Sequence, residues 1–151
     1  MKLLFLGICA TIILFAIVGF SQHSDKRTSN NDSLSPMDET ESWQYPFQAP
    51  EEKRKKLLRA LSEFKDPMPV SDLFRELGKP DRIDDLRKES KPLSPYESGF
   101  MAGSKDRFSY RCIWFARKAS KSPGLSDSWL AAYVDKDGKT ISVIHNNWLK
   151  E

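Results

Sequence analysis

Cysteine and histidine are the side chains best suited to nucleophilic or metal chemistry near neutral pH, and this chain has two of each, Cys9, Cys112, His23 and His145. Cys112 falls in an aromatic-rich stretch that reads as a strand and His145 near the end of a later one, so a Cys–His nucleophile pair can be drawn. In a meander of three strands, however, the first and third are not neighbours, and no third group is indicated to orient the base. A packed thiol and a surface imidazole are the plainer reading. His23 has no second ligand at a definable spacing, which is too little for a metal site. Asp135, Asp137 and Gly138 resemble part of a calcium loop, but that loop needs three oxygen-bearing positions before its glycine and a closing bidentate Glu. Cys9 lies within an apolar run, so Cys112 has no exported mate and no disulfide is expected. An acylated cysteine would follow a small residue at the end of such a run, whereas Ile8 is bulky and most of the run lies beyond Cys9. The expectation is therefore a non-enzymatic protein with no cofactor and no metal, the rival being a small exported enzyme that uses Cys112 or His145.

The elements around these residues set where the chain goes and what it can fold into. Residues 3–20 are uncharged, preceded by Met1 and Lys2. The run, carried by Leu3, Leu4, Phe5, Ile13, Leu14, Phe15 and Phe20, falls between a secretory core of about 7–15 residues and a spanning helix of about 20. Residues 1–21 are read as a signal peptide or a transmembrane signal anchor. Positive charge ahead of the run keeps that end in the cytoplasm and exports the chain behind it. Residues 22–49, rich in Ser, Asn, Asp, Thr and Pro, are expected to be a flexible polar linker with a reach on the order of 30 Å. At its end Trp43, Tyr45 and Phe47 alternate, as an edge strand, a packed segment or a recognition strip.

The remainder, 50–151, reads as one small domain. Pro50, Glu51 and Glu52 open a helix that turns Leu57, Leu58, Leu61 and Phe64 to one side and ends before Pro67. Ser71 and Asp72 open a second, with Leu73, Phe74 and Leu77 inward and a stop at Gly78 and Pro80. Residues 88–107, with Pro92, Pro95, Gly99 and Gly103, read as a long loop, the first place to seek a contact site, with Tyr96 and Phe100 as its aromatics. Strands are expected over 108–117, 128–134 and 140–145. In the first, Phe108, Tyr110, Cys112, Trp114 and Ala116 face one way, the side expected to be buried, and Ser109, Arg111, Ile113, Phe115 and Arg117 the other. The turn Asp135-Lys136-Asp137-Gly138 joins the last two, with Gly138 where positive φ is needed.

The net charge of +3, with both signs interleaved, gives no reason to invoke nucleic acid. The one basic tract, Lys53-Arg54-Lys55-Lys56, comes directly after Glu51 and Glu52 and reads as an exposed helix face, with anionic headgroups or an acidic partner as the alternative.

The order of helix, short helix ending Leu77-Gly78-Lys79-Pro80-Asp81, aromatic strand and hairpin around Asp135-Lys136-Asp137-Gly138 resembles the SmpA/OmlA (BamE-like) domain over about 50–143. That resemblance implies an α+β fold, two N-terminal helices on one face of a three-stranded, or at most four-stranded, antiparallel sheet. It also implies non-enzymatic work in envelope assembly or partner binding. The expected protein is thus a membrane-tethered binding or accessory module of a bacterial cell envelope, its domain outside the cytoplasm. Its partner is an unknown protein, met through an exposed sheet face, the 88–107 loop or the aromatics Trp43, Tyr45, Phe47, Tyr96 and Phe100. A secreted inhibitor or immunity-type protein of the same fold, released by cleavage near Ser21, is the alternative. Retention of the anchor is expected, so the natively produced protein should keep its N-terminal apolar run; an N-terminus at Gln22 would show a released form.

Overall fold

The computed structural model describes residues 34–88, 91–103, 105–122, 124–146 and 149. The apolar run with Leu3, Leu4, Phe5, Ile13, Leu14, Phe15 and Phe20, together with Cys9 and His23, lies outside the described residues. In chain order the elements are β1 (Met37–Asp38), β2 (Phe47–Gln48), α1 (Glu51–Glu63), β3 (Met68–Pro69), α2 (Val70–Leu77), β4 (Arg82–Asp85), α3 (Pro95–Ala102), β5 (Tyr110–Lys118), β6 (Ser128–Val134) and β7 (Lys139–His145).

Helix α1 forms where helical spacing places it, burying Leu57 and Ala60. Its basic tract is a paired surface, Lys55 with Glu51 at 2.8 Å and Lys56 with Glu52 at 3.3 Å, each one turn apart. Helix α2 starts at Val70, two residues earlier than Ser71 as cap would place it, after Pro69 and without a side-chain cap bond. It ends on Gly78 at φ 80°, which only glycine adopts without strain. The Gly78 carbonyl then accepts the Trp114 indole N–H at 3.1 Å, so the helix stop is also a tie to the sheet.

Among the described residues the sheet has seven strands in the order β1-β4-β5-β6-β7-β3, with β2 beside β5, and every pairing is antiparallel. This corrects the expected three- or four-stranded sheet with two helices. Residues 34–49, assigned by composition to the linker, are built into the body: Leu34, Thr40 and Ala49 are buried, and β1 and β2 come from this stretch. Residues 88–107, read as a loop, contain the third helix, α3. Strands of two residues carry too few positions for an alternating pattern, which is why β1, β2 and β3 escaped the periodicity.

Both faces of the sheet are covered. On one, α1 and α2 bury Leu57, Val70, Leu73 and Leu77 against Cys112, Trp114, Leu130 and Ala132. On the other, Leu86, Leu93 and Phe108, with Trp43, Phe47, Phe100 and Met101, pack on Ile113, Phe115, Trp129, Ala131 and Tyr133. Phe108 was expected on the Cys112 side, but β5 begins only at Tyr110, so the alternation does not reach it, and both faces of β5 are buried rather than one. The exposed sheet face expected as a contact surface is therefore absent among the described residues. All seven residues of β6 are buried, as suits a strand with cover on both sides.

Asp81, the last residue of the Leu77-to-Asp81 motif, ties helix α1 to one edge of β5. Strands β4 and β2 both lie along the edge of β5 away from β6, β4 reaching Ile113 and β2 beginning at Arg117. Between them the Asp81 carboxylate accepts the Phe115 N–H at 2.7 Å and takes both its other contacts, at 2.7 Å, from Lys53 Nζ of α1. Burial pushes this carboxyl above its ordinary range, although Lys53 pulls the other way. Asp81→Ala is expected to lower the unfolding free energy by about 2–3 kcal/mol in a urea titration, because it orphans a buried N–H. Asp81→Asn should cost about 1 kcal/mol or less, since its amide oxygen still accepts that N–H and Lys53, 24% exposed, can turn to water. Equal losses would mean that the Lys53 pair, not the Phe115 contact, holds the junction.

Candidate functional site

On the second face of the sheet a cleft of about 330 Å³ opens between the start of α3 and the β5–β6 loop. Leu93, Pro95 and Tyr96 form one wall, Gly124 and Leu125 the other, and Trp129 lies at the base. Tyr96 is 68% exposed and Leu125 80%; they are the large apolar side chains left most open among the described residues.

The α3 wall is held by charge buried beneath it. Ser94 caps the helix, its Oγ accepting the Glu97 N–H at 3.2 Å, and Pro95 occupies the first turn. Glu97, fully buried, accepts bonds from the Leu93 N–H, from Arg111 Nη1 and from the Tyr133 hydroxyl. Arg111, equally buried, turns its other nitrogens to Asp84 Oδ2, at 2.9 Å from Nε and 2.5 Å from Nη2, and to the Lys91 carbonyl at 3.0 Å. Burial opposes the guanidinium charge, but Glu97 and Asp84 outweigh it and hold the Arg111 pKa above its ordinary value. Burial, reinforced by Glu97, likewise pushes the Tyr133 phenol up, so this hydroxyl stays a donor.

The opposite wall is organised by a second buried charge. A bulge between Phe115 and Arg117 shifts the phase of β5. Lys118 rather than Arg117 is buried as a result, its ammonium 5.5 Å from the Phe115 ring centre and 5.6 Å from that of Tyr45. Lys118 Nζ donates to the carbonyls of Ser120 at 2.7 Å and Lys121 at 3.0 Å, winding the loop around itself. Asp127 closes the winding by accepting Ala119 N–H at 2.9 Å and Gly124 N–H at 3.1 Å. Asn146, at the end of β7, accepts the Trp129 N–H at 3.1 Å and donates to the Asp127 carbonyl.

Of the aromatic residues expected at a contact surface, Tyr96 is the one at the cleft. Trp43 stacks on Phe47 at 3.8 Å and meets the edge of Phe115, while Tyr45 donates to the Thr40 carbonyl. Phe100 packs against Phe108 and Tyr133. The expected nucleophile pair is not assembled. Cys112 is fully buried and faces the α1/α2 layer, where burial, with a smaller push from Asp84, raises its thiol to about 12. His145 Nδ1 donates to the Asn146 carbonyl at 2.7 Å, and register places His145 beside Leu130 and Cys112 beside Ala132, on strands separated by β6. In the hairpin, Asp135 Oδ1 accepts the Asp137 and Lys139 N–H groups at 2.8 and 2.9 Å, so its carboxylate shapes the turn. Among the described residues no cluster of His, Cys, Asp and Glu is arranged to hold a metal ion.

Sequence reading missed Glu97, Arg111, Lys118, Asp127 and Leu125 as parts of a site. One signal was available: Ser94-Pro95-Tyr96-Glu97 has the S-x-x-E spacing of a helix start. The chain matches no protein-family model, no curated protein and no solved structure.

Arg111→Met is expected to destabilise the protein by about 3–5 kcal/mol, because it leaves the Glu97 carboxylate buried without its cation. Adding Glu97→Leu should restore about half of that loss in the same chemical denaturation experiment, since the fully buried carboxylate is then gone while Asp84 keeps Arg82 at 2.7 Å. A double variant no more stable than the single one would mean that the ion pair is not what fixes α3.

Proposed function

We propose that this chain is a binding or accessory module of a bacterial cell envelope, held at the membrane through residues 3–20 and acting by protein–protein contact rather than by catalysis. The cleft between Tyr96 and Leu125 carries this reading. Large apolar side chains are normally folded inward, and here two of them, from separate segments, are held open on facing walls by buried ion pairs. Such rigid presentation of apolar anchors suits recognition of another protein. Of the two side chains named for covalent chemistry, the Cys112 thiol is desolvated inside the core and His145 Nδ1 is bonded to the Asn146 carbonyl, away from it.

The tether rests on the sequence. An uncharged run behind Lys2 suits insertion with the rest of the chain exported, and the polar stretch after it offers the body room to stand off the bilayer. No helix among the described residues is long and apolar enough to cross a membrane. The likeness of the Leu77-to-Asp81 motif and the 135–138 hairpin to SmpA/OmlA domains is in keeping with an envelope role.

Photo-crosslinking in the native envelope tests the contact. A photoreactive amino acid at Tyr96 or Leu125 of the full chain should give discrete protein adducts that are not seen from Lys55, which lies on α1 in the opposite layer. Leu125→Asp should reduce the Tyr96 adduct by about tenfold, as expected for loss of a central apolar anchor. Identical adducts from all three positions, or none from the cleft, would refute a contact surface there.

A further inference from the structure

The chemistry around the cleft also specifies its occupant. We infer that the cleft receives an extended acidic peptide segment, which inserts one bulky apolar side chain between Tyr96 and Leu125 and sets its carboxylates against Lys91 and Lys121. This rests on the binding reading above and identifies the partner by charge and shape.

The apolar character of the anchor is dictated by the lining. Two of its polar side chains are already engaged: Ser94 Oγ accepts the Glu97 N–H, and Asn146 bonds both Trp129 N–H and the Asp127 carbonyl. Small-molecule sites depend on several polar groups converging on the ligand, whereas this lining presents mainly hydrocarbon from Leu93, Pro95 and Leu125, with the Tyr96 ring and its hydroxyl at the rim. Its volume, about 330 Å³, has room for a bulky side chain and the backbone that carries it.

The acidic character is dictated by the charges that remain outside. Within three residues of the lining, the described carboxylates are Glu97 and Asp127, both buried and both bonded within the fold. The described lysines in the same span, Lys91 and Lys121, are exposed. The lysine backbone carbonyls are tied to Arg111 and Lys118, which fixes where the two chains emerge while leaving their ammonium groups in solvent. An uncharged cleft flanked by cations favours carboxylates on either side of an apolar anchor. A bilayer surface is the competing occupant of Lys-flanked apolar groups as exposed as Tyr96 and Leu125, but the concavity that both line, with buried Trp129 at its base, suits an inserted side chain better than a flat surface.

The test uses the full chain in nanodiscs of neutral lipid, and the probe is a displayed library of random linear peptides. Selection should enrich sequences with Asp or Glu on both sides of Phe, Leu, Ile or Trp. Binding of the enriched peptides should weaken about tenfold with Leu125→Asp and again with Lys91→Glu plus Lys121→Glu, the latter loss shrinking in high salt. Enrichment of basic or uncharged peptides, or binding indifferent to these substitutions, would overturn the inference. In a second arm, Tyr96→Cys in a Cys9→Ser background carries an environment-sensitive dye. A blue shift on moving from neutral to anionic lipid would assign the cleft to the membrane and also overturn the inference, while an unchanged spectrum supports it. If cleft-specific photo-adducts persist when the peptide selection fails, the peptide assignment falls and the protein-binding reading survives; loss of both removes both.

Discussion

A guanidinium cannot be left alone inside a protein, and the buried charge of Arg111 constrains more of this structure than any other single group. Desolvating such an ion costs several kcal/mol, and only closely placed counter-charges and acceptors offset it. Four separate segments supply them or their support: Asp84 from β4, the Lys91 carbonyl, Glu97 from α3, and Tyr133 of β6 through Glu97. Each of these segments loses its freedom to move because departure would expose an unmatched charge to low-dielectric surroundings. The short helix α3, too short to be stable by itself, is ordered by this requirement and by the packing of Phe100 and Met101 on the sheet.

Lys118 repeats the arrangement on a smaller scale at the other wall. Its ammonium replaces lost water with loop carbonyls, and Asp127 supplies a carboxylate at 3.7 Å. Among its described residues the loop has no helix or strand, yet these bonds hold residues 119–122 and 124–127 in place. Leu125 is consequently presented outward beside Tyr96 rather than folded back. The cleft is thus the gap between two charge-organised segments, and its apolar character survives because the charges beneath it are spent internally.

The sheet also controls where partners cannot add. Its outer strands, β1 and β3, are two residues long each, which offers a short template for edge-to-edge pairing. With both broad faces packed under helices and aromatic side chains, the apolar surface available for contact is concentrated at the cleft.

Local chemistry alone determined much of the first layer. Leu57, Leu61, Leu73 and Leu77 recur at helical spacing, Gly78 and Pro80 stop α2, and Gly138 turns the last hairpin, because periodicity and backbone sterics act over a few neighbouring residues. The alternation of Cys112, Trp114 and Ala116 with Arg111, Ile113 and Phe115 was legible for the same reason. Polar composition around residues 34–49 pointed the wrong way, since Asp38 and Thr40 bond each other and β1 and β2 gain their stability from distant strands. Tertiary structure decided that Arg111 is an interior ion rather than an exposed one, that a bulge turns Lys118 inward, and that Tyr96 and Leu125 face each other. Those outcomes depend on carboxylates and carbonyls remote in the chain or displaced by irregular backbone, and no short-range pattern encodes where such partners meet.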